Sequence, residues 1–307
     1  MTAQAGLPVR GEIIDGLVFA KALKDEVRGE IEQLRGSGVT CGLATIAVGD
    51  DYAAGAYERR LARLADELGI RYRHYWLPAQ TSTAEVQGVI RRLGGDRAVH
   101  GILQLRPLPP HISEPEVFSR LDPLKDIEAL HPENAGLLAL GTPRFVPSTP
   151  ASAFHILDGW LEATGQDPVQ FYRGATIVVV GRSNNVGKPA LALGHARDAV
   201  VVSCDEWASR SGCLAEHTLR ADVLIVAAGV PKLISAEHVS DGAVVVDVGI
   251  NPVPDPATGG IKLVGDVDLP AVLHVTRAAT PVPGGVGPVT DVWLMRNTAL
   301  AARRSAG

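Results

Sequence analysis

The chain has 307 residues, 46% of them hydrophobic and 21% charged, with 33 Gly and 21 Pro, a globular composition that excludes disordered, collagen-like and heptad-repeat chains. A net charge of -5 provides no concentrated basic face for a nucleic acid. Three dispersed cysteines, Cys41, Cys204 and Cys213, make neither a disulfide framework nor a zinc site; with no signal-peptide or membrane-span run, a cytosolic protein without membrane contact or metal is expected.

Apolar residues at helical spacing predict a helix over residues 17–34, and a short apolar run predicts a buried strand over 41–48. Residues 52–68 read as a second helix ended by Gly69, and 71–77, 83–93 and 99–105 follow as strand, helix and strand. This alternation points to a parallel sheet with crossover helices. From 107 to 150 the prolines crowd, including Pro107, Pro115, Pro132 and Pro150; they break up regular structure and place a domain boundary near the end of the stretch. A helix over 151–164 precedes strands at 175–181, 199–203, 223–228 and 243–248, the pattern of a doubly wound nucleotide-binding sheet.

Between the strand at 175–181 and a helix over 190–196 lies the run from Gly181 to Pro189, GRSNNVGKP. A glycine-rich turn here gathers free backbone N–H groups and the positive end of a helix dipole at one point, where a pyrophosphate can sit. Gly181, Arg182, Ser183, Val186 and Gly187 are the cofactor candidates. Their spacing departs from G-x-G-x-x-G, so an ordinary strand-to-helix turn stays open. Asp205 and Glu206 follow the next strand, about where a Rossmann acid takes the ribose 2′-hydroxyl. They repel a 2′-phosphate, whereas the Arg182 guanidinium would attract one. Charge alone leans to NAD over NADP.

DVGIN (247–251), LVGDVD (263–268) and TPVPGGVGPVT (280–290), with GRSNNVGKP, resemble the methylenetetrahydrofolate dehydrogenase/cyclohydrolase family. The resemblance spans nearly the whole chain: VGDD (48–51), Tyr57, PLPPHI (107–112), KDIEALHPENAG (125–136) and PSTP (147–150) stand where that family's motifs stand. It implies an α/β protein of two domains. Residues 1–147 and 287–307 would form an N-terminal folate and catalytic domain completed by the C-terminal helix, and 148–286 a Rossmann-type, doubly wound parallel sheet. It implies a folate substrate near Tyr57, Glu128 and the loop of Pro281, Gly284 and Gly285. It adds Ile250 and Thr290 to the cofactor set, leans to NADP, and implies a homodimer.

Four positions depart from the family pattern. The lysine four residues after the tyrosine is Leu61, the serine three before it is Ala54, the glutamine before the Pro-Leu-Pro segment is Leu105, and the Asp-Gly after Lys-Asp-Val is Glu128-Ala129. Residues i and i+4 of a helix share a face, so Leu61 stands in for an amine beside Tyr57 and offers neither proton nor charge. Hydride removal from the methylene carbon asks chiefly for alignment, whereas ring opening asks for a positioned acid or base. The resemblance makes Tyr57 and Glu128 the catalytic candidates, with Leu61 and Leu105 lining the substrate, and oxidation is expected to outlast hydrolysis. Arg59, Arg60 and Arg63 cannot act as bases near neutral pH. Alternatives are a bifunctional enzyme with a substitute base, a dehydrogenase for another pterin-like or imine substrate, and a non-catalytic folate-binding paralogue. Ala129 in place of glycine is expected to re-aim its loop, and Lys125 and Asp126 to pair with each other.

Overall fold

The computed structural model describes residues 10–256 and 258–306. In chain order its elements are β1 (Glu12–Ile13), α1 (Gly16–Gly36), β2 (Gly42–Val48), α2 (Tyr52–Leu68), β3 (Arg71–Leu77), α3 (Thr83–Gly95), β4 (Gly101–Gln104), α4 (Glu114–Phe118) and α5 (Pro132–Ala139). There follow α6 (Ser148–Ala163), α7 (Pro168–Gly174), β5 (Thr176–Val180), α8 (Gly187–His195), β6 (Val200–Cys204), α9 (Glu206–Arg210), α10 (Leu214–Thr218) and β7 (Val223–Val226). The last are β8 (Val244–Asp247), β9 (Asn251–Pro254), β10 (Ile261–Val264), α11 (Leu269–Val272), β11 (Ala278–Ala279) and α12 (Val286–Ala306). None of the described helices is long and apolar enough to cross a membrane.

Two compact units result, one of Lys21–Ser148 with 290–306, the other of 10–20 with Thr149–Val289. In the first, β3, β2 and β4 form a three-stranded parallel sheet with β2 in the middle. Every residue of β2 is buried, as expected of a strand covered on both faces. Ala44, Ile46 and Ile102 pack with Val86, Val89 and Ile90 of α3. Thr45, of opposite parity, turns to the other face and bonds Tyr72 and His74 of β3. The proline-rich stretch is less broken than expected. Pro115 and Pro132 open α4 and α5, positions where the missing N–H costs nothing.

The second unit is built on a six-stranded sheet in the order β1-β11-β8-β7-β5-β6, with every pairing parallel. From β5 the chain steps to β6 on one side and then to β7 on the other, so the order reverses beside β5. Its core joins Val178, Val180, Leu224, Val226 and Val245 with Leu214, Ile234 and Val272. The first residues depart from the domain division drawn from sequence, which put them in the N-terminal domain. Glu12 and Ile13 instead pair with Ala278 and Ala279, and Gly16 donates its N–H to the Gly284 carbonyl at 2.9 Å. A two-residue strand is too short to announce itself in sequence, because its partner supplies the whole signal.

Candidate active site

In the first unit α2, the loop 125–131 and α12 present the polar groups. Asp51 caps α2 by accepting the Ala54 N–H, and Gly69 closes it in the left-handed conformation. Lys125 donates to the carbonyls of Leu93 (3.3 Å), Gly94 (2.7 Å) and Asp96 (2.8 Å) at the end of α3. Asp126, buried, accepts the N–H groups of Leu130 and His131 and the Asn134 amide. The two therefore hold neighbouring segments instead of each other, because open backbone groups lie closer to each. Asn297 of α12 donates to the carbonyls of Ile127 (2.7 Å) and Val146 (2.8 Å). Ala129 sits at φ 52°, so the loop keeps the left-handed turn that glycine favours and is not re-aimed. The fixed loop tolerates a strain of about 1–2 kcal/mol at that alanine.

Glu128 is presented at the turn of this loop and accepts the Ser148 N–H at 2.9 Å. Burial pushes its carboxyl up to about 7, against the Ser148 hydrogen bonds and with added repulsion from Asp126. Tyr57 is half-buried on α2. Burial, and then the carboxylates of Asp291 and Glu128, hold its phenol well above the usual range, with Arg60 opposing them, so it stays a neutral phenol near pH 7. The Arg60 guanidinium lies 4.9 Å from the Tyr57 ring centroid and grips Asp291 of α12 through Nε–Oδ2 at 2.5 Å and Nη2–Oδ1 at 3.2 Å.

Leu61 is 0% exposed and Leu105 3%. Both are core residues in this structure, which corrects their expected role as substrate-lining side chains. A Leu at the amine position has been absorbed by the buried face of α2, with Ala54, Ala65 and Leu68. Gln104 does not take over the place of the glutamine at 105. On β4 it shares its parity with Ile102, on the α3 side, and its amide donates to the Ile46 and Leu105 carbonyls.

Glu128 yields a stability prediction. Its folded carboxyl is raised from 4.5 to about 7, so between those values the folded state keeps a proton that the unfolded chain releases. The associated stability is full below about 4.5 and is lost as pH rises through 7. Glu128→Gln retains an acceptor for Ser148 and removes the titration. Thermal midpoints measured from pH 5 to 8 are expected to fall less in this variant than in the parent, a difference on the order of 2 kcal/mol. Parallel pH curves would contradict it.

The second unit carries the glycine turn between β5 and α8. Gly181 follows β5 at φ 118°, and a Cβ there would lie 2.1 Å from the Ala227 carbonyl oxygen. A Cβ on Gly187 would lie 2.0 Å from the Gly181 carbonyl oxygen. Only glycine allows the start of α8 to approach the turn this closely. Ser183 Oγ accepts from the N–H groups of Val186 (3.2 Å) and Gly187 (3.4 Å). The turn therefore sits at the carboxyl end of β5, where the strand order reverses, the place at which open parallel sheets bind their ligands. Its glycine cradle and helix N-terminus fit a dinucleotide pyrophosphate.

At the end of β6, Asp205 Oδ2 binds Arg182 Nη1 at 2.9 Å, and Ser203 holds the same guanidinium through its Oγ (3.0 Å) and carbonyl (3.1 Å). Asp205 Oδ1 caps α9 through the N–H groups of Trp207 and Ala208. Glu206 turns away and pairs with Arg210. Ile250 lies exposed in the loop after β8, at the same end of the sheet. Thr290 falls in the first unit with α12. Pro281 and Gly284 are half-buried in the loop after β11, while Gly285 is buried; its carbonyl oxygen lies where a Cβ on Gly16 would reach, at 1.9 Å.

Sequence reasoning overlooked the carboxylate pair behind this end of the sheet. Asp247 accepts from the N–H groups of Gly249, Asp266 and Val267, and Asp266 from those of Ala228 and Gly229 and from the Asn251 amide. Burial pushes Asp247 up to about 7, against its three backbone hydrogen bonds and with repulsion from Asp266. The signal was present in DVGIN and GDVD, whose glycines leave room for these carboxylates: Cβ atoms on Gly249 and Gly265 would collide with Asp266 and Asp247. The Arg60–Asp291 pair was overlooked as well. Asp291 is a lone acid in the apolar run VTDVWLM.

A glycine turn at the switch point of a doubly wound sheet, with a second α/β unit in which the Glu128 and Asp291 carboxylates act on a tyrosine, defines a two-unit protein of the dinucleotide-binding class. Residues 14–128 match the catalytic domain, and residues 147–306 the NAD(P)-binding domain, of tetrahydrofolate dehydrogenase/cyclohydrolase. The chain is 60% identical over 292 residues to bifunctional protein FolD 3 of Rubrobacter xylanophilus, covering 95% of this chain and 92% of that protein. It is 42% identical over 298 residues to bifunctional protein FolD of Salinibacter ruber, covering 96% and 97%. Among solved structures, the methylenetetrahydrofolate dehydrogenase-cyclohydrolase of Trypanosoma brucei, complexed with NADP cofactor and inhibitor, superposes with a TM-score of 0.87 at 33% identity, over 96% of this chain and 98% of that one. The chain belongs to the tetrahydrofolate dehydrogenase/cyclohydrolase family.

Proposed function

We propose that this protein oxidises 5,10-methylenetetrahydrofolate to 5,10-methenyltetrahydrofolate with NAD+, and that its hydrolysis of the methenyl product to 10-formyltetrahydrofolate is weak or lost. The observation that carries this reading is Leu61, sealed in the core one helical turn from Tyr57. The lysines of the first unit are Lys21, Lys24 and Lys125. Lys24 binds Glu67, Lys125 caps α3, and none is among the charges acting on Tyr57.

The first unit carries the folate in this reading. Tyr57 lends an aromatic face and a neutral hydroxyl, and Glu128 offers a carboxyl to the amino-pyrimidine edge of the pterin. Gly181, Ser183, Val186 and Gly187 hold the pyrophosphate, with Ile250 and Thr290 completing the cofactor contacts and Pro281, Gly284 and Gly285 those to the folate. A bound nicotinamide supplies the acceptor for the hydride leaving the methylene carbon. The protein's share is alignment, worth about 7–11 kcal/mol in well-oriented reactions. NAD is favoured over NADP because Asp205 occupies the ribose end of β6 and already neutralises Arg182.

A second reading rests on one observation, the Glu128 carboxyl at about 7, which suits a general base near neutral pH. In it Glu128 takes the proton of the attacking water and both reactions persist. Incubating the purified protein with 5,10-methylenetetrahydrofolate and NAD+ tests the shared core. Methenyl formation is expected, and no turnover with either nicotinamide cofactor would reject it. We also read the chain as a cytosolic homodimer. The family resemblance supports the dimer, and three free cysteines suit a reducing compartment. Sedimentation at about twice 32.3 kDa is the expected result for the assembly.

A further inference from the structure

We propose that Arg60 and Asp291 act as a positioning pair for Tyr57. The carboxylate anchors the guanidinium, and the guanidinium fixes one face of the phenol ring so that the opposite face is presented to the folate. The inference rests on the reading that Tyr57 contacts substrate.

Asp291 is buried on α12 between Val289 and Val292, with Leu294 and Met295 also in the core. A carboxylate placed there loses its hydration, and Arg60 is the partner that answers it, through two hydrogen bonds. The Asp291 side chain is 9% exposed but that of Arg60 is 52% exposed, and an ion pair open to solvent on one side adds little to stability. Tying α2 to α12 therefore does not account for the pair. What the pair adds is geometry. Two parallel bonds fix the plane of the guanidinium, and a lysine, as a point charge, cannot reproduce that plane. The fixed plane lies 4.9 Å from the Tyr57 ring centroid, inside the range in which a cation is held by an aromatic face.

The pair is also neutral as a whole. Oxidation leaves a positive charge on the folate, and a guanidinium without its carboxylate would oppose that charge. Asp291 thus lets an arginine stand beside the ring without working against the product. The sequence positions fit this division of labour: Arg60 is one turn from Tyr57 on α2, and Asp291 lies in the second turn of α12.

The test measures steady-state oxidation of 5,10-methylenetetrahydrofolate with NAD+ in four variants of the full chain. Asp291→Asn, which keeps the shape of the side chain, is expected to lower kcat by about tenfold to a hundredfold, the scale of a slightly misplaced reacting group, with the KM for NAD+ unchanged. Arg60→Lys, which keeps the charge and loses the fork, is expected to fall into the same range. Asp291→Glu, which keeps the carboxylate, is expected to recover most of the rate. If Asp291→Asn and Arg60→Lys are folded and retain the parent kcat, the pair is structural only and the proposal is overturned, as it is if Asp291→Glu is no better than Asp291→Asn. Tyr57→Leu separates the two claims: parent kinetics in that variant would remove Tyr57 from the substrate site, whereas a damaged Tyr57→Leu beside an unimpaired Asp291→Asn would reject the positioning pair alone.

Discussion

Asp205→Ser is expected to move the cofactor preference from NAD+ toward NADP+ by about two orders of magnitude in the ratio of kcat/KM values. The carboxylate binds Arg182 at 2.9 Å, and hydrogen bonds to charged groups are each worth about 1.5–3 kcal/mol. Removing Asp205 frees one arm of the guanidinium for a 2′-phosphate and withdraws the acceptor that would hold a ribose hydroxyl; about 1.4 kcal/mol corresponds to each factor of ten. Serine also caps helices well, so α9 keeps the side-chain acceptor that Asp205 now offers to Trp207 and Ala208. The fold is therefore expected to survive. Initial rates with the two cofactors at matched folate concentration give the ratio directly. An unchanged ratio would mean that Asp205 and Arg182 do not read the ribose.

Leu61→Lys is expected to gain hydrolysis of methenyltetrahydrofolate by about 10²–10⁴-fold, the range typical of one positioned acid or base. Side chains on a helix lean toward its N-terminus, so an amine at 61 reaches back toward Tyr57, one turn earlier. Burial lowers the pKa of a lysine, which leaves part of the amine neutral and able to accept a proton near pH 7. The cost falls on stability. Leu61 is completely buried, and losing such a leucine costs about 2–5 kcal/mol. Leu61→Met, nearly volume-conserving, serves as the control and should change neither activity by much. A folded Leu61→Lys protein with no added hydrolysis would show that the amine position is not what separates the two reactions.

Much of the fold was legible in the sequence because its signals are local. The apolar runs at 176–180, 223–226 and 244–247 are short, bounded and buried on both faces, and each became a strand. The helix from Tyr52 to Leu68 was marked by its helical spacing and by Gly69 at its end. What escaped depends on partners remote in sequence. β1 and β11 have two residues each and are strands only through their partners, β11 lying between β1 and β8. The hairpin of Asn251–Pro254 and Ile261–Val264 carries no regular alternation, with prolines at the second and fourth positions of its first strand.

The candidate site divides in the same way. Gly181, Arg182, Ser183, Gly187 and Asp205 stand together because one turn and two adjacent strand ends carry them. Whether Leu61 and Leu105 face a ligand or a core is decided by packing, and their hydrophobicity, read as a loss of chemistry, was equally a sign of burial. Ala129 shows the reverse case. The substitution suggested a moved loop, yet hydrogen bonds to Asp126 and from Asn297 outweigh the conformational preference of one residue.

The central claim is that the two activities have separated, and the fate of the methenyl product tests it most directly. Methenyltetrahydrofolate is mixed with increasing amounts of the purified protein in the absence of nicotinamide cofactor, and its decay is followed by absorbance. The decay rate is expected to stay at the enzyme-free value while the same preparation oxidises 5,10-methylenetetrahydrofolate in a parallel cuvette. A decay rate that climbs in proportion to protein, at a turnover comparable to oxidation, would contradict the account and assign the missing base to Glu128 or another group.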